Sequence, residues 1–308
     1  MRTTFIMLVG LPASGKSILA SKLSNKYNAK IYSDEDMRIK IYGNSNTWNN
    51  NKISVAISKN IRSDLANGIN CIYDACNVNY RHRKALVGEI SHIDCEKICI
   101  FVATPFEQCL VNNCNSKNLP VTAIQEAYEK FSPPYYYEGW DKIDIIYYND
   151  EFKSYYGSHY DFISKYINYN QDTIYHSLTL GQHCGKACDF ICQKQDLADD
   201  KDISLSIAAM LHDCGKPWVK KFKDSRDEIS EIAHYYNHEK IGSYNCFFYD
   251  VGENVDRLKV AVLIRMHMLP YFWEKNDDDK MHKKYYKLWG ERLYKDIMAL
   301  HAADKFAH

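Results

Sequence analysis

The segment Gly10–Ser17, GLPASGKS, constrains the fold of this chain more than any other. It fits the pattern GxxxxGK[ST] and follows the apolar run Phe5–Val9, which has the length of a buried strand. Helical periodicity begins directly after it. A strand, a glycine-rich loop and a helix in this order form a cradle whose backbone N–H groups face nucleotide phosphates. The motif therefore predicts an α/β domain that binds ATP.

The residue types of this loop predict separate contacts with ATP and Mg²⁺. Lys16 is expected to neutralise the β- and γ-phosphate oxygens, and Ser17 is expected to ligate Mg²⁺. The other cradle positions are Gly10, Ala13, Ser14 and Gly15. A chance match to the motif in an ordinary turn is the alternative, and the flanking strand and helix patterns disfavour it.

Hydrophobic periodicity divides the chain into two parts. Up to about residue 150, strand-length apolar runs alternate with helical stretches, which predicts a parallel sheet with helices on both faces. Beyond about residue 165 amphipathic helical patterns dominate and the strand signal vanishes. We therefore expect an α/β domain at 1–150, a linker at 151–165 and an all-α domain at 166–308, which holds nine of the twelve histidines.

Composition limits the classes of partner and location. Among 308 residues, 39 Lys and Arg balance 39 Asp and Glu, so a nucleic-acid partner would be held by local patches and aromatic residues. The first apolar run is too short for a signal peptide, and no run approaches the roughly 20 residues of a membrane span. Eleven irregularly spaced cysteines favour reduced thiols. We expect a cytoplasmic protein with no membrane contact.

Two acidic positions follow predicted strands of the first domain. The segment IYSDEDMRIK contains Asp34, Glu35 and Arg38, and a carboxylate beside the γ-phosphate can take a proton from an acceptor hydroxyl. An arginine nearby can hold an anionic acceptor. A solvated acidic helix start is the alternative. In CIYDACNVNYRHR, Asp74 lies at a strand end, which suits an indirect role at Mg²⁺. Arg83 follows closely and belongs either to the same site or to the basic surface of a capped helix start.

The helical half contains the adjacent pair His212–Asp213 after the apolar run SLSIAAML. A buried carboxylate and imidazole need partners, and a metal ion can satisfy both. The further candidates that can converge on one bundle interior are His183, His238, His267 and Asp304. Each histidine taken alone is more often a core or surface residue than a ligand. The mixed His/Asp set suits Mn, Fe, Co, Ni or Zn better than Mg.

Basic residues follow the His-Asp pair. Lys216 can add positive charge at a substrate phosphate. The run KPWVKKFK at 216–223 can bind a nucleic-acid strand by stacking and phosphate contacts, and a surface segment with extended lysines explains it equally well.

The first 150 residues resemble the P-loop polynucleotide kinases, through GLPASGKS, the strand-end acid with its arginine, and YDACNVNYRHR. The resemblance implies a general base three residues before Arg38, which is Glu35, or Asp34 after a one-residue slip. It also implies a lid helix that presents arginines to the transferred phosphate. The corresponding segment, 112–125, has no arginine and only Lys117. Either the kinase is slow, or Lys117 substitutes imperfectly for the arginines.

The pattern H…HD…H…H…D over residues 175–308 resembles the HD-domain phosphohydrolases. The resemblance implies one metal held by His183, His212, Asp213 and Asp304, and a second added by His238 and His267, with Asp213 between them. Two divalent transition metals of this kind hydrolyse phosphoesters. Together the two resemblances imply an end-healing enzyme that acts on RNA or DNA ends with a 5′-OH, a 3′-phosphate or a 2′,3′-cyclic phosphate. A small-molecule kinase fused to a nucleotidase, or an ATP-sensing domain that regulates the HD site, are the alternatives.

Overall fold

The structure is a computed structural model that describes residues 2–43, 50–116, 119–196, 202–276 and 279–308. The chain forms two compact units. The first contains Met1–Lys130 and Pro134–Phe152, and the second contains Phe131–Pro133 and Lys153–His308.

The first unit is built on a five-stranded sheet in the order β2-β3-β1-β4-β5, in which every neighbouring pair is parallel. Its strands are β1 Thr3–Val9, β2 Ala29–Ser33, β3 Asn70–Asp74, β4 Cys95–Ala103 and β5 Lys142–Tyr147. The alternating sequence pattern predicted this parallel α/β architecture, and the structure confirms it. The central strand β1 leads directly into the glycine-rich loop.

The packing of β1 explains why this strand is apolar along its whole length. Ile6 and Leu8 point to one face and pack with Ala20 in a buried cluster. Phe5 and Met7 point to the opposite face and are also fully buried. Because both faces are covered, the strand reads as a continuous hydrophobic run rather than an alternating one.

The α-helices in the described residues of the first unit are α1 Lys16–Tyr27, α2 Asp34–Tyr42, α3 Asn50–Ala66, α4 Tyr80–Glu89, α5 Phe106–Asn115 and α6 Val121–Glu129. Helix α1 begins inside the phosphate-binding motif. Helix α2 begins directly after β2, where the Ser33 hydroxyl accepts a hydrogen bond from the Asp36 N–H and caps the first turn.

Three strand ends meet at one edge of the sheet. Ser33 at the end of β2 is in register with Asp74 at the end of β3, and β3 lies beside β1. The carboxyl ends of parallel strands point the same way, so Asp34, Asp74 and the loop that starts at Gly10 share this edge. Ligands of open α/β sheets bind at this edge.

Arg83 has a position in the core rather than the surface position considered from the sequence. Its guanidinium is fully buried and donates to both carboxylate oxygens of Glu138, at 2.8 and 2.5 Å. The Trp140 indole N–H donates to the same carboxylate at 2.9 Å. Glu138 lies 55 residues away in the chain, so no local pattern identified it.

The second unit is mostly helical, as predicted. Its helices are α7 His159–Lys165, α8 Leu180–Asp196, α9 Ile203–Leu211, α10 Lys216–Val219, α11 His238–Asn245, α12 Arg257–Met266, α13 Leu269–Asn276 and α14 Asp279–Phe306. Helix α14 is broken at Gly290, which has φ 79°.

The expectation of an all-α second domain is wrong at one place. Strands β6, Lys221–Lys223, and β7, Ile229–His234, pair antiparallel. The turn between them is polar, and β7 (ISEIAH) is short and lacks the strict alternation of a half-buried strand, so no strand signal stands out beside the long helical windows.

Within the described part of the chain, no helix combines the length and the apolar character needed to cross a membrane.

Candidate functional sites

The glycine-rich loop has the closed shape that phosphate binding requires. The Lys16 ammonium curls back over the loop and donates to the Leu11 carbonyl oxygen at 2.6 Å and to the Ser14 hydroxyl at 3.4 Å. Ala13 and Gly15 adopt left-handed backbone conformations, with φ 61° and 96°. Thr104 from the end of β4 donates to the Ser14 carbonyl at 3.0 Å. The loop carbonyls are thereby engaged within the unit, which suits a cradle whose N–H groups face an anion.

Gly15 lies against the ring of Tyr148, the residue directly after β5. A Cβ built on Gly15 would lie 2.8 Å from the Tyr148 ring, and its φ is unfavourable for any other residue. Tyr148 is 57% exposed, so one side of its ring covers the loop and the other side faces solvent. Tyr148 carries no local sequence signal for this contact, because more than 130 residues separate it from the loop.

Asp34 and Glu35 differ sharply in environment. The Tyr73 hydroxyl donates to Asp34 Oδ1 at 2.8 Å, whereas Glu35 is exposed. Burial raises the pKa of Asp34, although the Tyr73 hydrogen bond and the charges of His82 and Arg38 oppose the rise. The structure therefore brings Asp34 to the sheet edge beside Asp74, whose negative charge adds to that rise.

Arg38 lies one helical turn after Asp34 on α2 and is half-buried. Ser17 is exposed in the first turn of α1. Lys117, the cation predicted in the lid segment, lies outside the described residues.

In the second unit, the predicted His/Asp residues come together in the interior. His183 from α8 and His212 after α9 face each other with their Nε2 atoms 3.0 Å apart. Asp213 Oδ2 lies 3.4 Å from both of these nitrogens. Asp304 Oδ1 from α14 lies 3.2 Å from His183 Nε2 and 3.6 Å from His212 Nε2. We call these four residues the first ligand group.

The other oxygen of Asp213 serves a second pair. His238 Nε2 and His267 Nε2 lie 3.2 Å apart, at 3.3 and 3.9 Å from Asp213 Oδ1. We call Asp213, His238 and His267 the second ligand group. Donor atoms of His183, His212 and Asp213 all lie within 4.8 Å of one another, and so do those of the second ligand group.

The Nδ1 atom of each of the four imidazoles is hydrogen-bonded to a backbone carbonyl oxygen, at 3.2 Å or less. The acceptors are Ala307 for His183, Ala209 for His212, Tyr235 for His238 and Ile264 for His267. Carbonyl oxygens only accept, so Nδ1 carries a proton in each ring and Nε2 is the atom that faces the centre. This is the usual outer support of a metal-binding histidine.

Two facing lone pairs at about 3 Å repel each other unless a cation or a proton lies between them. Burial, with the neighbouring His238 and His212, lowers the pKa of His267 to about 3. Burial also opposes the charge of His212, but Asp213 and Asp304 outweigh it and raise the pKa of His212 well above its ordinary value, so a proton can lie between His212 and His183 when no metal is bound. Histidine nitrogens and carboxylate oxygens are ligands for Mn, Fe, Co, Ni and Zn. The donor set and its orientation therefore fit a pair of divalent transition metals with Asp213 between them.

Local backbone geometry places these ligands. His212 and His267 end α9 and α12, where each ring donates to the carbonyl three residues earlier, an acceptor that the helix end leaves open. Gly215 lets the turn after Asp213 touch α11, because a Cβ there would lie 2.1 Å from the His238 carbonyl oxygen. That close approach places the turn after Asp213 against the start of α11, where His238 lies.

Lys216 has other partners than the substrate phosphate expected from the sequence. Its buried ammonium lies 2.6 Å from Asp213 Oδ2 and donates to Gln171 Oε1 at 2.7 Å and to His176 Nε2 at 3.0 Å. Three acceptors satisfy its three protons. Burial raises the pKa of Asp213, but Lys216 and His212 outweigh it and hold that pKa well below its ordinary value. Gln171 and His176 carried no sequence signal.

The basic run at 216–223 continues from α10 into the exposed strand β6. Lys220 is ion-paired with Asp172 at 2.5 Å, and Phe222 is 46% exposed. His282 and His301 lie outside both ligand groups. His282 is hydrogen-bonded to the Tyr294 hydroxyl, and His301 to the Glu274 carboxylate.

A parallel sheet whose central strand leads through GLPASGKS into a helix defines the first unit as a P-loop nucleotide-binding fold. Residues 5–120 match the family model described as an AAA domain, which covers less than half of the chain. The comparison with curated proteins finds no match.

Several solved structures are similar to part of the chain. A Pnkp1/Rnl/Hen1 complex shares 24% identity over 39% of this chain and 42% of that chain, with a TM-score of 0.34. Kti12 of Chaetomium thermophilum in complex with ADP-AlF3 shares 16% identity over 47% of this chain and 90% of that chain, with a TM-score of 0.41. A fungal RNA kinase shares 12% identity over 47% of this chain and 38% of that chain, with a TM-score of 0.37. The similarity thus spans less than half of the Pnkp1/Rnl/Hen1 and RNA kinase chains, and these scores define no family for this chain.

Proposed function

We propose that this chain is a bifunctional enzyme that repairs nucleic-acid ends. The first unit acts as an ATP-dependent 5′-OH polynucleotide kinase. The second acts as a metal-dependent phosphoesterase that removes a 3′-phosphate or opens a 2′,3′-cyclic phosphate. The observation that carries the proposal is the pair of facing histidine couples joined by the two oxygens of Asp213, in a chain that also has a P-loop.

The kinase reaction requires a phosphate cradle and a base. Lys16 and Ser17 would hold ATP and its Mg²⁺. Asp34 is the better base of the two candidates, because it is half-buried at the sheet edge and held by Tyr73, while Glu35 is exposed. A raised pKa makes a carboxylate a stronger proton acceptor near neutral pH. Arg38, one turn further on, is placed to attract an anionic acceptor.

In the second unit, the first ligand group would hold one metal ion and the second ligand group another. Bound metals would supply Lewis acidity and lower the pKa of a water molecule. The chain itself provides the orientation: backbone carbonyls hold the four imidazoles, and Lys216 holds Asp213 from the side away from His238. Lys216 is therefore assigned to support of the ligand rather than to the substrate.

Nucleic-acid ends are proposed as substrates because the segments around Asp34 and Asp74 resemble those of polynucleotide kinases. The two activities are also complementary. A kinase that adds a 5′-phosphate and an esterase that clears the 3′ end together prepare a broken strand for ligation. This explains why one chain would contain both sites.

A second candidate has one observation in its favour. Segment 112–125 has no arginine, so the transferred phosphate would lack the usual charge clamp. On that account the first unit would bind ATP and regulate the phosphoesterase without transferring phosphate.

The test is incubation of the wild-type chain with labelled 5′-OH and 3′-phosphate oligonucleotides, RNA and DNA, across several divalent metals. Free nucleosides serve as competing acceptors, which separates a polynucleotide kinase from a small-molecule kinase. Lys16→Ala is expected to remove 5′ phosphorylation and leave 3′ hydrolysis near wild type, and Asp213→Ala is expected to do the reverse. Each loss should be on the order of a hundredfold or more. If Lys16→Ala also silences hydrolysis and the wild type phosphorylates no 5′ end, the regulatory candidate replaces this one.

A further inference from the structure

We propose that Tyr73 is a positioning residue for the kinase reaction, and that its hydroxyl holds Asp34 so that one carboxylate oxygen is fixed and the other faces the acceptor. The inference rests on the proposed kinase activity and adds a residue to it. Tyr73 lies in β3, is 1% exposed, and donates to Asp34 Oδ1 at 2.8 Å.

The hydrogen-bond pattern of Asp34 is asymmetric. Oδ1 accepts from Tyr73, whereas Oδ2 makes no hydrogen bond within the described parts of the chain. A half-buried carboxylate with one engaged oxygen keeps a fixed orientation, and the remaining oxygen retains its lone pairs for a proton. This is the arrangement that a general base needs.

In the proposed reaction the acceptor hydroxyl oxygen forms a bond to the γ-phosphorus. The bond between that phosphorus and the β–γ bridging oxygen breaks, and ADP leaves with its electron pair. The proton of the acceptor hydroxyl passes to Asp34 Oδ2. Tyr73 keeps its own proton throughout, because burial raises its pKa well above the ordinary value.

The groups that face Asp34 set its ionisation. They come from β3, α2 and α4 and are Tyr73, Asp74, Arg38 and His82. Asp34 accepts protons only when ionised, so activity rises with pH through its pKa. The Tyr73 hydrogen bond stabilises the ionised form, so its removal moves this acidic limb to higher pH.

The experiment compares pH profiles of 5′ phosphorylation for the wild type and Tyr73→Phe. We expect the acidic limb to move up by about one pH unit, since a hydrogen bond to a carboxylate is worth about that much. Below the limb this corresponds to roughly a tenfold loss of kcat/KM. Binding of a fluorescent ATP analogue should be unchanged, which shows that the unit is folded.

The chain offers a matched control in Tyr32. It lies on β2 in register with Tyr73 and is also buried, and its hydroxyl donates to the carboxylate of Asp64 rather than to that of Asp34. Tyr32→Phe deletes the same group and should leave the limb in place. His82→Gln should also keep a limb, because His82 is a neighbour of the base and not the base.

A lower rate in Tyr73→Phe at every pH with an unmoved limb would overturn the positioning role. Loss of the limb in His82→Gln would assign the titration to His82 and overturn it as well. If the wild type phosphorylates no 5′ end, both the proposed kinase activity and the role of Tyr73 are overturned. If the wild type is active and the acidic limb of Tyr73→Phe is not shifted, only the role of Tyr73 is overturned.

Discussion

Lys216 and Asp213 form a buried ion pair in which the ammonium nitrogen lies 2.6 Å from Oδ2 of the carboxylate. The same carboxylate lies between two histidine couples through its two oxygens. This pair therefore connects the stability of the second unit with the state of its candidate metal centre.

Lys216→Met should lower the free energy of unfolding of the second unit by about 3–5 kcal/mol when metal is removed, because it leaves a buried carboxylate unpaired. Added Mn²⁺ should recover part of the loss, since a cation at the ligand groups again neutralises Asp213. Urea unfolding with and without metal measures both. Lys223→Met removes an exposed i,i+4 pair with Asp227 and should cost less than about 1 kcal/mol. Equal losses in the two variants would contradict the prediction.

The purified chain should contain about two transition-metal ions, one for each ligand group. The double variant His238→Gln, His267→Gln should retain about one, because the first ligand group keeps its own donors. Elemental analysis after dialysis gives the ratio. His282→Gln, which changes a histidine outside both groups, should leave it at about two. Complete loss of metal in the double variant would mean that the groups do not bind separately.

Asp304→Asn should reduce phosphoesterase activity on the order of a hundredfold or more, because the carboxylate oxygen near His183 and His212 becomes a weaker ligand. Deletion of residues 304–308 should abolish it, since the Ala307 carbonyl that holds His183 is lost too. ATP binding should stay normal in both. The neighbouring exposed Lys305, changed to Gln, is the control, and an active deletion variant would exclude Asp304 as a ligand.

Gly15→Ala should destroy nucleotide binding, because the new Cβ would lie 2.8 Å from the Tyr148 ring in a left-handed backbone. Gly68→Ala is the matched control: its φ is 82°, and nothing lies within 4 Å of the new Cβ. Both variants should lose about 1–2 kcal/mol of stability through backbone strain. Titration with a fluorescent ATP analogue should separate them, and equal affinities would show that the contact with Tyr148 is unimportant.

The sequence alone was enough to predict the P-loop fold and the helical nature of the second half. Both follow from local signals: GLPASGKS needs a strand before it and a helix after it, and periodicity distinguishes buried strands from amphipathic helices. The sequence also singled out His183, His212, Asp213, His238, His267 and Asp304, whose donor atoms the structure brings together.

Tertiary structure decided what local patterns could not. Asp34 and Glu35 are adjacent and chemically alike, and only the packing of α2 beside Tyr73 gives Asp34 a hydrogen bond and leaves Glu35 exposed. Arg83 became a core residue because Glu138, far away in the chain, lies opposite it. Lys216 is bound by Gln171 and His176 instead of facing solvent. Burial and hydrogen-bond partners depend on contacts between distant segments, and no spacing along the chain specifies those contacts.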